Sequence, residues 1–345
     1  MSGVWRFAGK RTDRDGREAR IDPVCHTLVG AALARTGLSK RTALGATALI
    51  VGANLSDLDV LAYFAGPAAD LQWRRGWTHG VLALGILPFL LTGCLLALHR
   101  ASSGRRPWAE PSLMVPRQLL LLSFIAIMSH PILDTLNTYG MRWLMPFSGK
   151  WFYGDILFIV DPWVWLVLSL GVYYSVRRGR ARRANPTRPA KVALTLAGIY
   201  AAGMALSGQA VSRIVSREVG GSSIPAQRVM AGPVLLDPLV REFVLEQEGQ
   251  YLAGRFRWLE RPHVNLAEVQ AFPRGRPSHP AVLAAAETPV GRRFLGWARF
   301  PTFEIQQLGK GRFMVNIMDV RYARRVGARF GTISIPVTLP TASSP

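Results

Sequence analysis

Acidic side chains are scarce in this chain: 21 Asp and Glu face 42 Lys and Arg over 345 residues, for a formal net charge of +21. Charged residues of both signs amount to only 18%, against about 25% in soluble domains. With 49% hydrophobic residues, a disordered chain is excluded and an ordinary soluble enzyme fits poorly. A membrane protein with basic loops and a nucleic-acid binder remain. Cysteine is nearly missing as well. Cys25 and Cys94 are too few for a disulfide framework or a four-cysteine zinc site. Cys94 lies in an apolar run and reads as a buried small hydrophobe. Cys25 stands beside His26 with no second thiol to support a metal or nucleophilic role. The chain also lacks zinc-finger spacing, an aromatic-interleaved basic stripe and a nucleotide-binding glycine loop, so no direct nucleic acid partner is expected. The opening residues lack the apolar run of a signal peptide and read as a flexible tail, 1–20.

Long uncharged runs, by contrast, are present. Gly80 to Leu98 is free of charge, and about 20 such residues span hydrocarbon. Gln118 to Leu136 is interrupted only by His130 and Asp134. Ile156 to Val176 is a third candidate span, and Lys191 to Val211 a fourth, in which Gly198, Gly203 and Gly208 suit close helix packing. His26 to Gly37 and Thr42 to Asn54 are short apolar stretches that predict a helical hairpin. Basic residues cluster at Lys40–Arg41, at Arg100, Arg105, Arg106 and Arg117, and from Arg177 to Lys191. The positive-inside rule puts these loops on the cytoplasmic face. The chain after 215 changes to short β-branched runs, such as Phe243 to Leu245 and Phe313 to Ile317, broken by Gly and Pro. The fold expected is an α-helical polytopic membrane protein, a helical hairpin plus about four transmembrane helices over 21–215. A small β-rich soluble domain over 216–345 follows, on the periplasmic side. In it His263 and His279 lie beside Pro and read as surface residues.

Ionisable residues within apolar helices are costly and mark function. His130 and Asp134, four apart, share one helix face. That pair fits metal chelation or a buried hydrogen bond equally. Asp57 and Asp59 repel unless a cation or donors hold them. His26 and His79 begin apolar stretches. All of these, with Asp155 and Asp161, fall at the helix ends opposite the arginine loops. Imidazole and carboxylate without thiolate suit Zn²⁺, Mn²⁺ or Fe²⁺. Six candidate ligands suit two metals, which together activate water and stabilise a leaving oxygen.

Four motifs carry a resemblance: Asp22-Pro23-Val24-Cys25-His26 with Gly30, Asn54-Leu55-Ser56-Asp57-Leu58-Asp59, Arg75-Gly76-Trp77-Thr78-His79, and Ser129-His130 with Asp134. In this order they resemble the membrane-bound metal-dependent hydrolases, also named for LexA-binding, inner-membrane-associated hydrolases. The similarity covers roughly residues 21 to 175. Cys25 stands where that family usually has Thr, Ser56 where it has Pro, and Arg74 where His is common. The resemblance implies a bacterial inner-membrane location, a metal-dependent hydrolase and a regulatory protein partner. The expectation is hydrolysis of an ester or phosphoester, with a lipid or lipid-linked substrate. Metal would be held by His26, Asp57, Asp59, His79, His130 and Asp134. Asp155 and Asp161 would act as catalytic bases, and Arg75 and Arg142 would hold an anionic head group. The alternative is a non-enzymatic membrane protein, either an ion or proton transporter or a scaffold for a regulatory partner.

Overall fold

The computed structural model describes residues 22–65, 72–102, 113–219, 228–324 and 330–340. The N-terminal tail and Arg105–Arg106 lie outside the described residues. Helix α1 (Pro23–Arg35) starts where Asp22 accepts the Cys25 amide and Pro23 supplies a preset φ. It ends before Gly37, whose φ of 103° turns the chain into a short 3₁₀ segment, Leu38–Arg41. Helix α2 (Gly45–Leu55) then returns along α1 and runs on as a 3₁₀ helix, Ser56–Ala65. This is the expected hairpin. Gly30 sits where the two helices touch: a Cβ there would stand 2.6 Å from the Leu49 carbonyl oxygen. Helices α3 (Val81–Ser102) and α4 (Pro116–Thr135) close on α2, burying Leu49, Leu119, Leu122 and Ile127. Helices α5 (Pro162–Arg180) and α6 (Arg188–Glu218) pack on α1 through Val29, Leu168, Ala193 and Met204.

Among the described residues, four stretches are long and apolar enough to cross a bilayer: Gly45–Ala62, Val81–Ala101, Pro116–Thr135 and Arg188–Glu218. The set differs from expectation in one member. The run from Ile156 to Val176 is not one helix: the chain stays irregular until Asp161 caps α5 and Pro162 begins it. The glycines of α6 also differ. No described residue approaches Gly198 or Gly203, which face outward, and Gly208 meets the β domain. Close helix contact falls instead at Gly171 of α5, where a Cβ would collide with the Ala193 methyl. Cys94 is exposed on α3 rather than buried.

Strands β1 (Arg228–Pro233), β2 (Val240–Gln247), β3 (Gln250–Arg257) and β4 (Gln270–Pro273) form an antiparallel sheet in that order. Helices α7 (Pro280–Glu287) and α8 (Pro289–Trp297) follow. A second antiparallel sheet has β5 (Pro301–Gly309), β6 (Arg312–Asp319) and β7 (Thr332–Thr338). The two halves of the molecule interlock. Helix α6 runs past the boundary expected at 215, placing Val211 and Val215 in the core of the first sheet with Phe243, Leu245 and Phe256. Tyr139, from the segment after α4, enters the core beside the second sheet with Trp297 and Tyr322. His263 is buried, stacked on Phe256 with its Nδ1 on the Arg257 carbonyl, so it is not a surface residue. His279 is half-buried, and its ring accepts the Ala281 amide at the start of α7.

Candidate metal centre

The ends of α1, α2 and α4 and the turn before α3 meet in one buried cluster. His26 comes from the first turn of α1, and Asp57 and Asp59 from the 3₁₀ extension of α2. His79 lies just before α3, and His130 and Asp134 lie one turn apart in α4. Asp134 is central. Its Oδ1 lies 3.6 Å from His26 Nε2, and its Oδ2 lies 3.3 Å from His79 Nε2 and 3.6 Å from His130 Nε2. Asp57 Oδ1 lies 3.4 Å from His130 Nε2. The rings of His26 and His130 stack with centroids 3.6 Å apart. Two overlapping triads, His26–His130–Asp134 and Asp57–His79–His130, have donor atoms close enough to hold an ion, and they share His130.

These neighbours are close without bonding one another. His26 Nδ1, Asp57 Oδ2, His79 Nε2, His130 Nε2 and Asp134 Oδ2 are buried with no hydrogen-bond partner among the described residues. Buried polar atoms are normally satisfied, so five orphans in one cluster point to a missing ligand. The spacing also fits a metal. Bonds of about 2.0–2.2 Å to a tetrahedral ion leave the donor atoms about 3.3–3.6 Å apart. The outer ring nitrogens are held from behind. The His130 Nδ1–H donates to the Ala53 carbonyl at 2.7 Å, which leaves the Nε2 lone pair facing Asp57 and Asp134. His79 Nδ1 lies 3.2 Å from Asp59 Oδ2 and 3.0 Å from Thr78 Oγ1. Metal-binding histidines are oriented in this way by carboxylates and carbonyls. Asp59 therefore stands behind His79, not beside the open face of the cluster, and its Oδ2 also accepts the Arg75 amide at 2.6 Å. Burial lowers the pKa of His79, but the neighbouring carboxylates of Asp134 and Asp59 outweigh it and the net shift is upward.

Of the two expected head-group residues, one is here. Arg75 Nη2 lies 3.1 Å from Asp134 Oδ1, while its Nη1 donates to Asn137 Oδ1 at 2.9 Å and to the Gly140 carbonyl at 3.3 Å. Arg142 is spent on the fold: its Nη2 donates to the carbonyls of Gln72 and Arg74, and its guanidinium lies over Trp151. Asp161 borders the cluster, lining a cavity of about 30 Å³ with Asp22, His26 and Asp134. Its Oδ1 accepts the Trp163 and Val164 amides that start α5, and its Oδ2 accepts the Tyr200 hydroxyl. Asp155 is held elsewhere, in an ion pair of 2.5 Å with Arg299 of the C-terminal half.

The sequence reading quotes Asp22 within a motif without giving it a role in the site, and it passes over Asn137. Asp22 lines the cavity, caps α1 and accepts Trp165 Nε1 at 2.8 Å. Asn137 Oδ1 gathers Arg75 together with the Tyr139 and Gly140 amides. That turn is in turn held by the C-terminal half. Arg321 Nη1 donates to the Thr138 carbonyl at 2.7 Å, and Trp297 Nε1 to the Tyr139 carbonyl at 2.9 Å.

The sequence profile of the YdjM inner membrane proteins matches residues 21–211, which hold the whole cluster, helices α1 to α5 and most of α6. The chain belongs to the YdjM inner membrane protein family. The YdjM match stops short of both β-sheets. A second comparison finds an uncharacterized protein, YfhP, of Bacillus subtilis (strain 168), 21% identical over 130 residues. The overlap is 37% of this chain and 36% of YfhP, so the chain spans about a third of the length of the curated relative it matches. No solved structure matches.

Proposed function

We propose that this YdjM-family membrane protein is a metal-dependent hydrolase acting on an ester or phosphoester of a lipid or lipid-linked substrate. The observation that carries this reading is the group of five buried, unpartnered imidazole and carboxylate atoms in one cluster, of which His79 Nε2 and His130 Nε2 stand 3.3 and 3.6 Å from Asp134 Oδ2. His26, His79, His130, Asp57 and Asp134 would hold one or two divalent ions, Zn²⁺, Mn²⁺ or Fe²⁺ by ligand type. Such an ion supplies Lewis acidity and lowers the pKa of a coordinated water. The chain's own groups supply the rest. Asp59 and the Ala53 carbonyl fix the ring tautomers, and Arg75 steadies Asp134 and offers positive charge to an anionic group. Asp161 reaches the small cavity through the helix cap it already forms, which favours a structural role over that of a base.

A transporter would need titratable groups along the whole bundle. Among the described residues, the His and Asp groups of α1, α2 and α4 gather at one end of it. With the basic loops cytoplasmic, that end and the C-terminal domain would face the periplasm. The test is elemental analysis of purified wild type and a His130→Ala, Asp134→Ala double variant, followed by turnover of phospholipid and lipid phosphate with Mn²⁺ or Zn²⁺. Stoichiometric metal in the wild type, lost in the variant, with turnover following it, is the expected result. Metal-free wild type after loading removes the hydrolase reading.

A further inference from the structure

Of the seven exposed leucines among the described residues of the C-terminal domain, four lie on two neighbouring loops. Leu235, Leu236 and Leu239 lie on the β1–β2 loop and Leu259 just after β3, with Leu236 61% and Leu259 82% exposed. The two loops are tied together, since the Trp258 amide donates to the Leu239 carbonyl. Leu236 has a φ of 67°, backbone better suited to Gly or Asn. A strained and exposed leucine is a poor choice for a turn that faces only water.

The position of these loops says what meets them. The Trp163 indole N–H donates to the Leu236 carbonyl at 3.1 Å, and the Trp258 indole N–H to Ser207 Oγ at 2.9 Å. Both anchor points lie one bilayer thickness from the arginine loops. At 1.5 Å per residue, Ser207 is about 28 Å along α6 from Arg188, and Trp163 is about 26 Å along α5 from Arg180. The hydrocarbon core is about 30 Å thick. Trp163 and Trp258 therefore sit at interface depth, where Trp is favoured. Helices α5 and α6, to which the two loops are bonded, themselves expose Leu166, Leu196 and Ile199.

We propose that the leucine-tipped loops at 235–239 and 259 insert into the outer boundary of the bilayer and seat the C-terminal domain on the lipid surface. The inference stands independently of the hydrolase reading. It also brings lipid next to Asp161 and the small cavity, which lie two residues from the Trp163 anchor.

The full-length protein, in a Cys25→Ser, Cys94→Ser background, would carry an environment-sensitive fluorophore at Leu236→Cys, Leu259→Cys or Glu248→Cys. Glu248 lies in the β2–β3 turn at the far end of both strands, about 27 Å away at 3.4 Å per residue. Each variant is reconstituted into phosphatidylethanolamine–phosphatidylglycerol vesicles with lipids bearing a nitroxide near the head group. Expected are blue-shifted emission and strong lipid quenching at 236 and 259, with aqueous iodide quenching only 248. Iodide quenching at all three positions overturns the proposal. Blue-shifted emission at 236 and 259 that neither quencher reaches also overturns it, and shows the patch covered by a second copy of the chain. Recovery of each variant at the wild-type elution volume establishes that the labelled protein is folded.

Discussion

At the scale of single residues, the cluster is a set of charges and rings that need something between them. Asn137 gives a direct test. Its side-chain oxygen gathers three donors in a buried turn. Asn137→Ala leaves Arg75 and two amides short of a partner and should cost about 1–3 kcal/mol, read by thermal unfolding in detergent. Arg75→Lys keeps the charge but loses the forked geometry that spans Asn137 and Asp134. It should lower turnover more than metal content, which separates a role in positioning from one in ligation. Much of this site was legible beforehand. The four-residue spacing of His130 and Asp134 needs only helix geometry, and His26, Asp57 and His79 stood at helix ends on the same side. The failures share one cause. Arg142 and Asp155 looked free because their partners, the carbonyls of Gln72 and Arg74 for one and Arg299 for the other, come from loops and from far along the chain. Asn137 looked ordinary because a carboxamide just past a helix end is a common cap.

Secondary elements set the second scale. The hairpin of α1 and α2 depends on backbone approach at Gly30, where any side chain meets the Leu49 carbonyl. Gly30→Val should destabilise the protein by about 1–3 kcal/mol, whereas Gly198→Ala, with open space around it, should be neutral or slightly stabilising. Parallel melts of the two variants in one detergent check this. The hairpin itself could be read from two short apolar runs around a basic turn. The late start of α5 could not be read from hydropathy, which treats Ile156 to Val176 as continuous. Asp161-Pro162 is the local signal that was available: a capping side chain followed by a residue favoured at the first helical position. Which face of α6 packs was also unreadable, because Gly198 and Gly203 lie on a side that no described helix contacts.

At the scale of the whole molecule, the β domain is part of the site's support. Arg321 and Asp319 form a buried ion pair, and Arg321 reaches across to the Thr138 carbonyl. Arg321→Met strands Asp319 without its cation, at a cost of about 3–5 kcal/mol. Because the 137–141 turn is shared, the same variant should also weaken metal retention, measured by elemental analysis after dialysis. A drop in stability with metal content unchanged would show that the two halves act separately. The sequence offered the existence of a β-rich tail but no hint that its arginine and tryptophan grip a turn more than 150 residues earlier.

Helix α6 runs unbroken from the arginine loop to the core of the first sheet, 31 residues in all. A rod embedded at both ends has no joint to absorb a change of angle. Helices adjust to bilayer thickness by tilting, and here a tilt of α6 would carry the β domain with it. The grip of Trp297 and Arg321 on the turn beside Arg75 would move too. A change of acyl-chain length that tilted α6 would then reach the geometry around Asp134 as torque through one helix rather than as a bound molecule.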